Sequence, residues 1–361
     1  VGTITIISNS DPSVTSIVLD ETTITEDGGV SIITATISAA HSKDVTIPLT
    51  ISGTSTIDTD YSTAFSSKGG STVAGLTGDY GANTNQLNRP TDVAIDSDGN
   101  IFVMSNFSNS VRKWSPGASE GSIFISNLSN SRGIYIDDSN NLYVVKSYNA
   151  EIIKYAQGSS SGTIVAGGNG TGIGLNQLAA PMDICTDSSG NVYVADYSNH
   201  RIVKWALGAS EGTIVAGTGT AGSGTNQLNS PKGVDIDSEG NIYVADQGNN
   251  RIMKWASGAS EGTVVAGGNG QGSSNNKFYN MSRIRVNSLG HIYIADQGNN
   301  RVMKWIPGEL EGTIVAGTGT AGSGANQLSS PSGIDIDSKG NIYVADTNNH
   351  RIQFIQRASE I

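Results

Sequence analysis

The 361-residue sequence is poor in several things, and each shortage removes a class of explanation. It holds one cysteine, Cys185, so no disulfide forms within the chain and thiol usage does not report a compartment. No apolar run approaches the roughly 18–20 residues that a membrane-spanning helix needs, so membrane insertion is not expected. Basic residues are few: 21 Lys and Arg against 32 Asp and Glu give a formal charge of −11. That is the wrong sign for releasing counterions from a nucleic-acid backbone, and no nucleic-acid partner is expected. Ala, Leu, Glu and Lys dominate no window, which argues against long helices. Histidine occurs only at His41, His200, His291 and His350.

In their place are 46 glycines, abundant Ser, Thr and Asn, and short β-branched runs between turn-forming clusters. That texture predicts an all-β protein. The acidic excess is concentrated near the start, where Asp11, Asp20, Glu21, Glu26, Asp27, Asp44, Asp58 and Asp60 face Lys43 alone. The chain opens inside a strand-like run, VGTITIIS, and reads as a mature or excised part of something longer.

One segment recurs six times. Gly233–Trp255, GVDIDSEGNIYVADQGNNRIMKW, has near copies at Asp92–Trp114, Gly133–Tyr155, Asp183–Trp205, Arg283–Trp305 and Gly333–Phe354. The closing aromatics Trp114, Tyr155, Trp205, Trp255, Trp305 and Phe354 stand 41, 50, 50, 50 and 49 residues apart. Each copy reads as three short strands joined by two turns, with a fourth strand such as Thr263–Gly267 (TVVAG) following a loop. Four antiparallel strands in 40–50 residues are the blade of a β-propeller. The sixth copy stops after its third strand, and Ser71–Gly75 (STVAG) matches the missing fourth. This N-terminal strand is expected to complete the last blade and close the ring, leaving no open edge.

The residues YVAD followed by NHRIVKW at Asn199–Trp205, or by NNRIMKW at Asn249–Trp255, resemble the NHL repeat, whose namesake Asn-His stands at Asn199-His200 and Asn349-His350. The resemblance covers all six copies and implies a six-bladed propeller over 67–361. NHL-like propellers present loops to a partner; some are lyases with an axial zinc held by histidines, and some bind RNA on a basic face. His200 and His350 lie three blades apart and cannot share a zinc. A lyase or hydrolase would therefore need axial carboxylates such as Asp235 and Asp335. Lys113, Lys154, Lys204, Lys254 and Lys304 recur at one strand position, which spreads them around the rim instead of making a basic patch.

Internal comparison of the copies singles out other residues. Asp precedes Arg by five in four copies, at Asp196/Arg201, Asp246/Arg251, Asp296/Arg301 and Asp346/Arg351. Copy two has Lys146 and Glu151, with both signs exchanged, and copy one has Ser105 and Ser110. Such coupled exchange predicts an ion pair across the second hairpin. The GTGTAG runs at Gly217–Gly222 and Gly317–Gly322 match a dinucleotide fingerprint, but no helix follows, so they read as flexible inter-blade loops. Turns such as DSEGN at Asp237–Asn241 lack the remaining Ca²⁺ ligands of a helix-loop-helix site and read as Asx turns.

The centre of each innermost strand varies, reading Ala94, Tyr135, Cys185, Asp235, Arg285 and Asp335. Arg285, between the two aspartates, predicts a neutralised axial cluster, or with Tyr135 a polar pocket at the channel mouth. Cys185 reads as a buried, inert thiol. The 41-residue step removes the loop before copy two and predicts a notch in one face. Phe107, Tyr148 and Tyr197, in three successive second turns, are candidates for sugar or peptide contacts there.

Residues 1–66 form a separate head. Thr25-Glu-Asp-Gly-Gly and the terminal Asp60-Tyr61 resemble the Calx-β domain, an immunoglobulin-like β-sandwich. That resemblance implies a Ca²⁺ site of Glu26, Asp58 and Asp60 with Asp27 nearby. Ser52 departs from it, standing where Ca²⁺-binding members carry an acid, and the domain's second half is missing before the propeller begins. Two arrangements fit that truncation: the propeller is inserted in the domain, whose last strands follow Ile361, or Val1–Ser8 is a strand of a preceding sandwich. Together these readings predict a non-enzymatic binding, adhesion or structural module of a larger bacterial surface or secreted protein. Its ligand would be a glycan or protein, and flanking domains of the same polypeptide would be further partners.

Overall fold

The structure, a computed structural model, describes residues 69–357, except the side chain of Asn106, and four backbone strands in the first 68 residues. The chain divides into two compact units, Val1–Ala64 and Phe65–Ile361. In the first, Thr3–Ile6 pairs with Leu49–Ser52, and Ile17–Leu19 with Ala35–Ile37, both antiparallel. The candidate Ca²⁺ ligands Glu26, Asp27, Asp58 and Asp60, and the rest of the expected sandwich, lie outside the described residues.

The second unit contains six four-stranded antiparallel sheets. Their innermost strands are Pro90–Ile95, Ser131–Ile136, Pro181–Thr186, Pro231–Ile236, Ile284–Val286 and Pro331–Ile336, for blades one to six. In the sixth sheet the outermost strand is Ser71–Gly75, with Arg351 opposite Gly75 and Ile352 opposite Ala74. The N-proximal strand thus closes the ring.

Both faces of every blade are covered, so the second strands read as unbroken apolar runs. Ile242–Asp246 is buried throughout. Alternate side chains serve different neighbours: Ile242, Val244, Met253 and Trp255 pack toward blade three, while Tyr243, Ala245 and Ile252 pack toward blade five. Six such clusters fill the six interfaces. The closing Trp255 and Trp305 are almost fully buried and lie flat on the glycine that opens the fourth strand. A Cβ at Gly262 would fall 2.8 Å from the Trp255 ring, and one at Gly312 2.7 Å from that of Trp305, so any side chain there would displace the indole.

Successive turns alternate between the two ends of the ring. The upper face carries the turns between second and third strands and the starts of the inner strands. The lower face carries the first turns (the DSxGN segments) and the connections to the fourth strands. Leu87, Leu128, Leu178, Leu228, Phe278 and Leu328 are buried at the six inter-blade joints. Leu128 fills this role although the loop before blade two is missing.

A chain beginning at residue 69 is expected to melt cooperatively. One beginning at Leu76 leaves Arg351–Ile355 as an open edge and is expected to aggregate or to melt roughly 10 °C lower. Equal melting temperatures by calorimetry would show that the latch contributes nothing.

Candidate functional site

The repeated polar residues form a ring of knots near the upper face. Arg201 Nε donates to Asp196 at 2.8 Å, and the pair recurs as Arg251–Asp246 at 2.7 Å, Arg301–Asp296 at 2.8 Å and Arg351–Asp346 at 2.8 Å. The guanidinium's other nitrogens bind the loop before the blade: Arg201 donates to the carbonyls of Ile173, Gly174 and Gln177. The aspartate also accepts from Asn199 Nδ2 and from the backbone N–H of Ala179, each within 2.8 Å. The glycine-rich loops, expected to be flexible, are therefore pinned.

Copy two has no such loop to hold, and there Lys146 and Glu151 meet at 2.9 Å with signs exchanged. In blade one the two serines are buried, and Arg112, two residues further on, takes over the loop, donating to the carbonyls of Ala82, Asn83 and Gln86. Both paired changes have a packing cause, which places these charges in the scaffold.

Other candidates are used in the same way. His200 Nδ1 and His350 Nδ1 accept from the backbone N–H of Ser230 and Arg89, the residues leading into the next blade. Asp187 and Asp237 accept from their own turns, from Asn191 or Asn241, and from Tyr193 or Tyr243, as Asx turns do. Lys154, Lys204 and Lys254 each lie 5.2 Å from a tyrosine ring, which accounts for their recurrence. Cys185 is fully buried, and desolvation with the nearby Asp235 pushes its thiol well above the usual range. Among the described residues, no three His, Cys, Asp or Glu side chains converge as a metal-ligand set.

The axis is where charge gathers. Arg285 Nε donates to Asp335 at 3.1 Å, and its guanidinium stacks 5.6 Å from the Tyr135 ring. Asp235 makes no direct bond to Arg285; its Oδ2 accepts from the backbone N–H of Val286 at 2.7 Å. Asp335 likewise accepts from Ile95 N at 2.8 Å. The structure thus brings Tyr135, Asp235, Arg285 and Asp335 together toward the lower end of the inner strands. Phe107, Tyr148 and Tyr197 lie on the upper face, so the two candidate groups occupy opposite ends. Phe107 and Tyr148 are exposed; Tyr197 is half-buried.

Sequence reading missed the residue that fills the axis. Arg283 leaves blade five and reaches four other blades. It donates to Asp92 of blade one at 3.2 Å, to the carbonyl of Arg132 in blade two at 3.1 Å, and to that of Lys232 in blade four at 3.3 Å. In blade three it meets the carbonyl of Met182, and Asp183 at 3.3 Å. A Cβ at Gly133 would collide with its Nη2. The signal was in the column Asp92, Gly133, Asp183, Gly233, Arg283, Gly333, where charge alternates with glycine.

Burial raises the carboxyls. Asp183 is pushed up to about 6 despite Arg283 and Arg285, and Asp235 to about 6 for the same reason. Asp335 and the knot aspartates move in the same direction. Between about pH 4 and 6 the folded chain therefore binds more protons than the unfolded chain, so these groups add stability as pH falls. His350, lowered by burial and Arg89, acts oppositely below pH 6.5. The melting temperature is expected to rise by about 2–5 °C from pH 7 to pH 5; a fall would refute the assignment. Arg283→Met strands Asp92 and Asp183 and is expected to cost about 3–5 kcal/mol, part of which Asp92→Asn restores, measured by chemical denaturation.

The NHL-repeat family model matches residues 178–205, 228–255 and 328–353. No curated protein matches the sequence. Similar solved structures include a protein of unknown function from Bacteroides thetaiotaomicron VPI-5482, 16% identical, covering 79% of this chain and 75% of that one, with a TM-score of 0.64. An auxiliary nutrient binding protein from the same organism is 14% identical, with coverages of 79% and 75% and a TM-score of 0.61. A gluconolactonase from Xanthomonas campestris is 12% identical, with coverages of 79% and 97% and a TM-score of 0.58. Likeness at these identities concerns architecture alone: the chain carries NHL repeats wound into a six-bladed β-propeller.

Proposed function

We propose that the chain is a non-catalytic binding module of a larger bacterial surface or secreted protein, presenting the upper face of its propeller to a glycan or protein ligand. The supporting observation is the filled axis. An axial metal enzyme needs carboxylates free to hold an ion, and those of Asp92, Asp183, Asp235 and Asp335 are each bound to a guanidinium, a backbone N–H or both. The fold is shared by a binding protein and a lactonase, so it does not choose between them. On the upper face the exposed Phe107 and Tyr148 occupy the position that Gly248 and Gly298 hold in the equivalent turns.

The first 66 residues are proposed as a partial Calx-β-like sandwich holding Ca²⁺ through Glu26, Asp27, Asp58 and Asp60. Elemental analysis of the purified chain is expected to find calcium and no stoichiometric transition metal. A glycan and protein array is expected to give binding without turnover. A retained transition metal together with loss of a substrate would establish the lyase or hydrolase instead.

A further inference from the structure

The upper mouth of the axis is chemically unlike the rest of the protein. Each inner strand opens with a β-bulge or an equivalent irregularity, the register slipping between Ser131 and Gly133 in blade two and between Pro231 and Gly233 in blade four. A bulge frees one residue from pairing and re-aims its side chain. In these two blades that residue is a cation: Arg132, which is exposed, and Lys232, which is half-buried. The backbone carbonyls of both accept from Arg283, so a third cation, itself paired with Asp92 and Asp183, lies directly beneath the pair. Arg89, at the entry to blade one, adds a fourth cation, held against the Phe107 ring at 5.6 Å and by Asn348.

The acids at this end already have partners. Among the described residues, its carboxylates are Asp92 and Asp183, both paired with Arg283, Glu151 and the four knot aspartates, all in ion pairs, and Asp79, bonded to Gln86. The acids of the turns, among them Asp98, Glu211, Glu239 and Glu311, belong to the lower face. The cation is also set in place. Lys232 Nζ donates to Gln297 Oε1 at 3.1 Å, Asn280 donates to the same oxygen at 3.2 Å, and Gln247 donates to Asn280 at 3.2 Å. This wall of planar amides fixes the ammonium beside groups suited to hydroxyl partners. Burial foremost, then Arg283 and Arg132, lower the Lys232 pKa to about 8.

We propose that this mouth binds an acidic saccharide, its carboxylate facing Arg132 and Lys232 and its ring directed toward Tyr148 in the same blade. The inference rests on the binding reading above and names the ligand class. A saccharide fits better than a nucleic acid. Three surface cations, Arg89, Arg132 and Lys232, on a chain of charge −11 cannot follow a phosphate backbone, whereas exposed aromatic rings and amides complement a sugar's faces and hydroxyls.

The test titrates the full chain with a glucuronate-terminated oligosaccharide, its carboxyl-reduced glucose counterpart and a single-stranded RNA, using calorimetry. The wild-type chain is expected to prefer the acidic sugar at least tenfold over the reduced one. Arg132→Ser and Lys232→Met are each expected to lose at least tenfold, the exposed Arg132→Ser with an unchanged melting temperature. Arg132 is exposed, so its variant tests binding without disturbing the core. Equal binding of the reduced sugar, tighter binding of RNA, or indifference to both variants overturns the inference while leaving a binding module. Failure of both sugars to bind overturns it too, and the protein array above then decides whether the binding reading survives.

Discussion

A propeller blade ends at the axis in an edge strand whose backbone N–H groups have no fifth strand to pair with, and this structure depends on how they are satisfied. Each buried, unpaired donor costs about 1–3 kcal/mol. Here a carboxylate from one blade accepts from the next: Asp92 from Ile134 N at 2.8 Å, Asp183 from Val234 N at 3.1 Å, Asp235 from Val286 N at 2.7 Å and Asp335 from Ile95 N at 2.8 Å. The bonds run around the ring and join blades that otherwise meet through apolar packing. Four buried carboxylates then require compensation, and blade five, which has no aspartate of its own on the axis, supplies both Arg283 and Arg285. Arg285 also faces Asp183 at 4.0 Å, so that one carboxylate answers to both arginines.

The outer knots solve a different problem by the same means. A ten-residue loop of Gly, Ser, Thr and Asn has little apolar surface to bury and would otherwise remain mobile. One guanidinium offers five donors in a plane. Asp246 takes one from Arg251, and the carbonyls of Ser223, Gly224 and Gln227 take others. The exchange of charges in blade two follows: with the loop gone, only a pair is needed, and either order of signs supplies it. Blade one keeps its loop and so keeps an arginine, moved to residue 112.

Much of this was legible in the sequence, because the signals recur. The 50-residue period, the strand count, the latch at Ser71–Gly75 and the ion pairs each appear several times or as coupled exchanges. What escaped was singular or depended on register. Arg283 occurs once, and its role emerges only when the glycines at 133, 233 and 333 are placed across the axis from it. The bulges that aim Arg132 and Lys232 leave no mark in composition. The loops looked flexible because their glycines are visible in sequence while the carbonyls that bind Arg201 are not. Asp235, Arg285 and Asp335 lie at the opposite end of the blades from Phe107 and Tyr148, because a five-residue strand separates one turn from the next.

The internal repeat also provides its own control for function. Positions that pack must satisfy the same neighbours in every blade, so they converge: valine or isoleucine beneath the tryptophans, glycine against the indoles, aspartate in the knots. A position released from pairing by a bulge meets different neighbours in different blades, and its occupants vary: Thr91, Arg132, Met182, Lys232, Ser282 and Ser332, the two serines being buried. Diversity alone would suit neutral drift. Drift on a chain with half again as many acids as bases would place acids at this mouth at least as often as bases, and none stands among the six. The buried arginine beneath them is balanced by Asp92 and Asp183, whereas, among the described residues, Arg132 and Lys232 have no carboxylate within ion-pair distance. Their presence runs against the overall composition, and a bound anion supplies the counter-charge they lack.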